Sequence, residues 1–496
     1  MDYSAFVDGY KTLLIAPAGY GKTHTIVECL KHSIGCQLIL THTHAGVASL
    51  KEKIRNANIA SNQYNVETIS SFAQKYVNSF YTGTDTPNQE DLKNYYPFII
   101  KKATVLFESS IVKKVLQTTY SGLFVDEYQD CTKQQHEMIS ILAKSLKTHI
   151  LGDPMQGIFD FNDDLVNFDT DLADFTQFPE LTIPYRWYQE DNNKELGNLF
   201  IEIRKHLKDG KDIDLSSKSI KGLFFIIVSP NDINNSKSHY RKCLEKIILN
   251  PEQIAEFNNL LIIVPEIIGK NSYKGGIKDR TRIRSLIDYK KSLVLIEAID
   301  DKSFYSLARE IDNFCLNTQS IKEPIQLLKE KILEEIFLKT EISKWFNKNS
   351  VLKKQNEIQN NKAQKLQKEI IIFLSGPTPI KMKNIILVLK DELNVRYGRE
   401  GLVYAILNAL ENAGIEGKTV YEAMKEQRNI IRRIGRKVDG KCIGTTLLTK
   451  GLEFNTVVIL DADKFNNYKH LYVALTRCCK KLIIFSSKKI LSPYSK

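Results

Sequence analysis

The feature that most constrains this chain is a short apolar run that ends in a glycine-turned loop and passes straight into a helix. Thr12-Leu13-Leu14-Ile15-Ala16 reads as a buried strand, Pro17 to Gly21 as a turn and Lys22 to Lys31 as a helix. That order belongs to a parallel sheet with helices on its faces, whose ligands sit at the carboxyl ends of the strands. Gly19 and Gly21 let the backbone curl so that its N–H groups converge, and the helix N-terminus adds a favourable dipole. In such a cradle, formed by Ala18-Gly19-Tyr20-Gly21, Lys22 can reach the β- and γ-phosphates of a nucleoside triphosphate. The Thr23 hydroxyl can ligate Mg²⁺. Ala16 replaces the first glycine of the strict phosphate-loop pattern, so the loop alone is a moderate signal.

A second string sharpens it. Val125-Asp126-Glu127-Tyr128-Gln129-Asp130 closes another brief apolar run, Leu123-Phe124-Val125. An acid at the end of a buried strand beside a phosphate loop can hold Mg²⁺ through water, and the next acid can orient and deprotonate an attacking water. Asp126 and Glu127 suit those roles. Two acids after a strand more commonly just begin a loop; the five-residue string Asp-Glu-Tyr-Gln-Asp is far less common.

Further apolar runs mark the rest of a first sheet at Gln37–Thr41 and His149–Gly152. A second sheet is predicted from Leu223–Val228, Leu260–Val264, Leu293–Ile296, Cys442–Gly444, Val457–Leu460 and Leu482–Phe485. Between its two halves the text turns helical and rich in lysine, glutamate and asparagine. Lys322 to Lys368 carries eleven lysines against six glutamates, which reads first as a solvated helical surface. The expected organisation is α/β: a first parallel-sheet domain over 1–180 with a short helical insertion at about 73–120. A second would span 181–315 and 436–496, split by a helical insertion at 316–435.

A chain of 496 residues has room for two to four such domains. No charged start and apolar stretch marks a signal peptide, and no apolar run approaches the roughly 20 residues of a membrane span. A cytoplasmic protein with no membrane partner is expected. The eight cysteines contain no Cys-x-x-Cys pair, so reduced, unligated thiols are expected. The net charge of +12 favours polyanionic partners without identifying one.

Asp-Glu-Tyr-Gln-Asp downstream of Ala-x-Ala-Gly-x-Gly-Lys-Thr resembles the UvrD/Rep branch of superfamily 1 helicases, and that family's other motifs follow in order. Leu40-Thr41-His42-Thr43-His44-Ala45 and Thr68-Ile69-Ser70-Ser71-Phe72 resemble segments that contact single-stranded DNA. Gly152-Asp153-Pro154-Met155-Gln156-Gly157-Ile158-Phe159 is similar to the motif coupling γ-phosphate sensing to DNA, with Gln156 the implied sensor. Pro184-Tyr185-Arg186 resembles the motif in which the tyrosine stacks on adenine and the arginine meets the γ-phosphate. The stretch from Thr445 to Phe454 includes Lys450-Gly451-Leu452-Glu453-Phe454, whose counterpart touches nucleotide and DNA with its glutamate on the ribose. Tyr472-Val473-Ala474-Leu475-Thr476-Arg477 is similar to the last motif, which ends in an arginine finger. The resemblance implies two RecA-like P-loop NTPase domains that close on ATP and Mg²⁺ and act on single-stranded or tailed DNA. The implied nucleic-acid contacts are Thr41, His42, Thr43, Phe72, Phe159, Phe161 and Thr445.

The chain departs from the family at several points. No glutamine-bearing motif stands in the roughly fifteen residues before the phosphate loop, and His24 replaces an arginine expected against the base. Leu447 stands for a usual histidine, His42 for a base-stacking phenylalanine and Asn162 for an arginine. Core packing is the competing reading for Phe72 and Phe161, and the preferred one for Trp187. Both insertions are compact, and in that trimming the chain resembles the UvrD-like subunit of Gabija-type bacterial anti-phage systems, which works beside an OLD-family nuclease. Two readings follow. One is a DNA-stimulated ATPase that moves along single strands, 3′ to 5′ by family likeness. The other is a sensor of DNA ends or single strands whose nucleotide cycle controls a partner nuclease in antiviral defence, with little unwinding. A fused nuclease is not expected, because only about 20 residues follow the last motif.

Overall fold

Strands in this chain are apolar on both faces, and that dictates where they go: each has to be covered by helices on two sides. The computed structural model describes residues 1–89, 91–158, 165–190, 193–229, 232, 235, 238–269, 272–274, 280–281, 293–298, 301–317, 322–354, 356–434, 438 and 440–494. The first sheet contains β1 (Lys11–Ile15), β2 (Gln37–Thr41), β3 (Tyr64–Thr68), β4 (Gly122–Val125), β5 (Lys147–Gly152) and β6 (Thr176–Phe178). Their order is β3-β2-β4-β5-β1-β6, and every pair is parallel. Alternate residues feed two cores. Leu13, Leu38, Leu40, Leu123, Val125 and Ile150 face one, and Leu14, Ile39, Phe124 and Leu151 the other.

The second sheet repeats the plan with β7 (Leu223–Ile227), β8 (Leu260–Ile263), β9 (Val294–Leu295), β10 (Lys441–Gly444), β11 (Phe454–Ile459) and β12 (Cys478–Ser486). Its order is β9-β10-β8-β11-β12-β7, again all parallel. The expected fold class, α/β built on two parallel sheets, is the one observed. Two edge strands escape the sequence reading. β3 interrupts its apolar residues with Asn65 and Glu67, while β6 is three residues long and largely exposed. Edge position relaxes the burial that makes a strand legible as an apolar run.

The segment expected as an insertion at 73–120 does not stand apart. Helices Ile69–Phe80, Leu92–Glu108 and Ser110–Thr119 bury Phe72, Tyr76, Ile99, Phe107 and Leu116 in the same core as β2, β4 and helix Lys133–Leu142.

The chain divides into two compact units, 1–296 with 432–496, and 297–431. The helical unit thus begins at Glu297, ahead of the boundary expected at 316. Its first helix, Lys302–Asn317, carries Phe304, Leu307, Ala308, Ile311 and Phe314 at helical spacing, and all of them enter the unit's own core. Among the described residues no helix is long and apolar enough to cross a membrane.

Candidate functional site

In the first sheet the strand order β4-β5-β1 brings three carboxyl ends side by side. The loops that leave them are Asp126–Asp130, Gly152–Gln156 and Ala16–Gly21. The third holds two left-handed glycines, Gly19 at φ +79° and Gly21 at φ +92°, the latter capping helix Lys22–His32. Gly19 is also forced by packing: a β-carbon there would lie 2.5 Å from Cζ3 of Trp187. Trp187 is fully buried, lies 4.5 Å from Phe200 between ring centroids and donates from Nε1 to the Cys478 carbonyl at 3.2 Å, so it packs, as expected.

Lys22, nearly buried, donates to Glu127 Oε2 at 3.1 Å, and the Gln129 amide donates to the same oxygen. Glu127 sits at φ +57°, a conformation that costs a side-chain-bearing residue energy and is held by its surroundings. Burial alone would raise the Glu127 carboxyl, but Lys22 and Lys450 outweigh it and hold it down at about 2. Burial and the Glu127 charge push Asp126 up to about 7. The two neighbouring acids are thereby driven apart, the pattern that separates a charged group from one needing a further cation. Asp126 and Thr23 line the same cleft as Lys22. Among the described residues no cluster of three or more His, Cys, Asp or Glu could hold a metal by itself. One hydroxyl and one carboxylate are a donor set that fits Mg²⁺ keeping water and phosphate as its other ligands.

The opposite wall comes from the second sheet and its approaches. Arg186 opens a π-turn, donates to the Thr476 carbonyl and to Glu453 Oε1, both at 2.7 Å, and its backbone N–H reaches the Gly19 carbonyl at 2.9 Å. Arg477, just before β12, donates to Gln156 Oε1 at 3.0 Å. Lys450, 1% exposed, crosses to Asp130 and to the Gln156 carbonyl. Between these walls lies a cleft of about 370 Å³. Lys22, Glu127, Gln156, Arg186, Glu453 and Arg477 all line it. Among the described residues the buried Nε of Arg186 has no acceptor, which suits an anionic guest. At one end Tyr185, 36% exposed, stacks on His24 with ring centroids 5.5 Å apart and planes 28° apart. Gly451, at φ +78°, completes the lining beside Glu453.

Other expected residues fare differently. Ala18 is buried against the Trp187 cluster while still bordering the cleft. Tyr20 does not border it; burial pushes its phenol up to about 12. Thr41, His42 and Thr43 follow β2 into the cleft, but Thr41 is 1% exposed, and Thr43 caps helix His44–Asn56 by accepting from Gly46 N at 3.0 Å. The His42 imidazole lies 3.4 Å from Cys131 Sγ, and burial, aided by Lys450, lowers its pKa to about 3. Thr445 is 1% exposed, just ahead of a short helix, so its side chain presents no surface to a nucleic acid. Phe72 corrects the sequence expectation outright. It has no exposed surface and packs among Tyr76, Phe107 and Tyr120, so it cannot stack on a base. Phe159, Phe161 and Asn162 lie outside the described residues.

Four groups escaped the sequence reading: Asp130, Lys450, Asp153 and Arg204. The first three stood inside recognised strings without a role of their own. Arg204 did carry a signal. It occupies the buried stripe of helix Lys194–Lys208 with Leu196, Phe200, Ile203 and Leu207, where a charge demands a partner.

Comparison with known proteins agrees with this geometry. The UvrD/REP helicase N-terminal domain family matches residues 5–95 and 84–175. Gabija protein GajB of Bacillus cereus (strain VD045) is 25% identical over 419 residues, covering 79% of this chain and 68% of that protein. Exonuclease/helicase subunit RexA of Lactococcus lactis subsp. cremoris (strain MG1363) is 23% identical over 199 residues, 39% of this chain and 16% of that protein. The chain thus spans most of GajB and only a small part of RexA.

Proposed function

We propose that the chain is a UvrD-like helicase, an ATP-hydrolysing motor of superfamily 1 whose ATP turnover is stimulated by single-stranded DNA. The observation that carries this reading is one cleft lined by a lysine and two acids from the first sheet and by two arginines from the second. When the triphosphate binds, Lys22 exchanges Glu127 for the β- and γ-phosphates, which frees the carboxylate to accept a proton from the attacking water. Thr23 and Asp126 would hold Mg²⁺, which would neutralise phosphate charge. Gln156, Arg186 and Arg477 meet the γ-phosphate, Glu453 the ribose, and Tyr185 with His24 flanks the base. An arginine in this role contributes on the order of 10³–10⁵ in rate. Because donors and acid sit on different sheets, hydrolysis is tied to the sheets closing, and alternate opening and closing moves the strand, 3′ to 5′. Of the described members of the nucleic-acid set, His42 and Thr43 are partly exposed, and both border the cleft.

The test is ATP hydrolysis measured alone, then with single-stranded, blunt and tailed DNA. Short single strands should raise turnover, and Lys22→Ala or Glu127→Ala should abolish it in a folded protein. Normal turnover by Glu127→Ala would remove the catalytic assignment.

A second reading is favoured by the match to GajB over most of both chains. In it the nucleotide cycle reports DNA ends or single strands to a partner nuclease of the OLD class, in bacterial anti-phage defence. Strand displacement on tailed duplexes separates the two. Hydrolysis without displacement, together with co-purification of a nuclease, supports the sensor; displacement by the isolated chain supports the motor.

A further inference from the structure

We propose that Arg204 is a positioning residue for hydrolysis, closing a ring of hydrogen bonds and one helix turn that sets the Gln156 amide and the Arg477 guanidinium in register across the cleft. The inference rests on reading that cleft as a triphosphate site.

Arg204 is 8% exposed, on the apolar stripe of helix Lys194–Lys208. Its two terminal nitrogens clamp both oxygens of Asp153, Nη2 to Oδ1 at 2.7 Å and Nη1 to Oδ2 at 2.8 Å. Nη1 also donates to the Tyr472 hydroxyl at 3.2 Å. Asp153 has no exposed surface, and its Oδ2 accepts a second bond, from Gln156 Nε2 at 2.9 Å. With that nitrogen committed, Gln156 presents Oε1 to Arg477 Nη2 at 3.0 Å. Arg477 follows helix Tyr468–Leu475, which carries Tyr472 and so returns to Arg204. The ring therefore runs from Arg204 through Asp153, Gln156 and Arg477 to Tyr472. Two members stand on the first sheet's loops, two on helices packed at the second sheet, and Arg477 on the turn that leads from one of those helices into β12.

The ring has a chemical direction. An amide offers an acceptor at one end and donors at the other, and a carboxylate is an acceptor only. Asp153 thus decides which end of Gln156 faces the cleft; reversed, the amide would confront Arg477 with its own N–H groups. Asp153 can do so only while fixed in angle, which the two-pronged guanidinium provides and a lysine ammonium does not. Neither Arg204 nor Asp153 lines the cleft, so both act through Gln156 and Arg477.

The experiment uses the full chain and measures ATP turnover with and without single-stranded DNA, binding of a fluorescent ATP analogue, and thermal melting. Arg204→Lys keeps the buried charge and so the fold; Arg204→Gln and Tyr472→Phe accompany it. Arg204→Lys should lower kcat about 10²-fold, the cost of misplacing a reacting group by about an ångström. KM and analogue affinity should stay within about threefold, because ground-state binding is untouched. Combined with Arg477→Ala, it should fall no further than Arg477→Ala alone, because the two act as one unit. The proposal is overturned if kcat per folded molecule is unchanged in Arg204→Lys and Arg204→Gln. It is equally overturned if the losses of the double variant multiply, as they would for an ion pair that only holds the fold. A wild-type chain that turns over no ATP would instead sink the reading of the cleft, and this inference with it.

Discussion

Replacing Gly19 by alanine sets two separable penalties against each other's relief. The residue sits at φ +79°, where a β-carbon costs roughly 1–2 kcal/mol. That carbon would also lie 2.5 Å from Cζ3 and 2.7 Å from Cη2 of Trp187, well inside contact distance. The ring has nowhere to retreat, because it is fully buried, packed on Phe200 and tied through Nε1 to Cys478. Overpacking of this kind costs about 1–3 kcal/mol. The sum is about 2–5 kcal/mol, and the loop can shed it only by leaving its phosphate-binding shape. Nucleotide affinity should therefore weaken by roughly 30- to several thousand-fold. The assay is equilibrium titration with a fluorescent ATP analogue, run as a double-mutant cycle. In a Trp187→Leu background the overlap disappears and only the backbone penalty of about 1–2 kcal/mol should remain. If Gly19→Ala costs the same in both backgrounds, the steric account is wrong and the glycine serves its backbone angle alone.

Phe72→Ala should lower the stability of the first lobe by about 3–5 kcal/mol, seen as a lower melting temperature, because it empties a site walled by Tyr76, Phe107 and Tyr120. DNA affinity per folded molecule should be unaffected; a selective loss of DNA binding at full stability would restore Phe72 as a base-stacking residue. His149, 2% exposed and bonded to Thr12 at 2.8 Å, has its pKa lowered to about 3, chiefly by burial. Its protonated form is disfavoured in the folded chain, so the unfolded chain binds the extra proton. Stability contributed there is full above the ordinary histidine pKa and falls as pH drops from about 6.5 toward 3, by about 1.4 kcal/mol per pH unit. Imidazole NMR at pH 5 should show this ring still neutral, and a protonated signal would refute the assignment.

The sequence by itself determined the chemistry of the first lobe. A phosphate loop is a local device, since glycine angles, a helix N-terminus, a lysine and a threonine lie within eight residues, so Gly19 to Thr23 are legible without any fold. The same holds for Asp126 and Glu127, which need only the strand that precedes them. Central strands buried on both faces are legible for a similar reason, as unbroken apolar runs. What only the tertiary structure decided is everything that depends on two distant segments meeting. Phe72 looks identical in a string whether it faces a base or a core, and three surrounding aromatics settled it. The edge strand β3 breaks its apolar run with Asn65 and Glu67, and β6 is three residues long and largely exposed, so neither reads as an apolar run. Helix Lys302–Asn317 joined the helical unit because its apolar face found partners there. Arg204 and Asp153 stand 51 residues apart and make a bidentate pair only because one sheet packs against the other. A buried charge announces that it must have a partner; which partner it takes is a property of the packed chain.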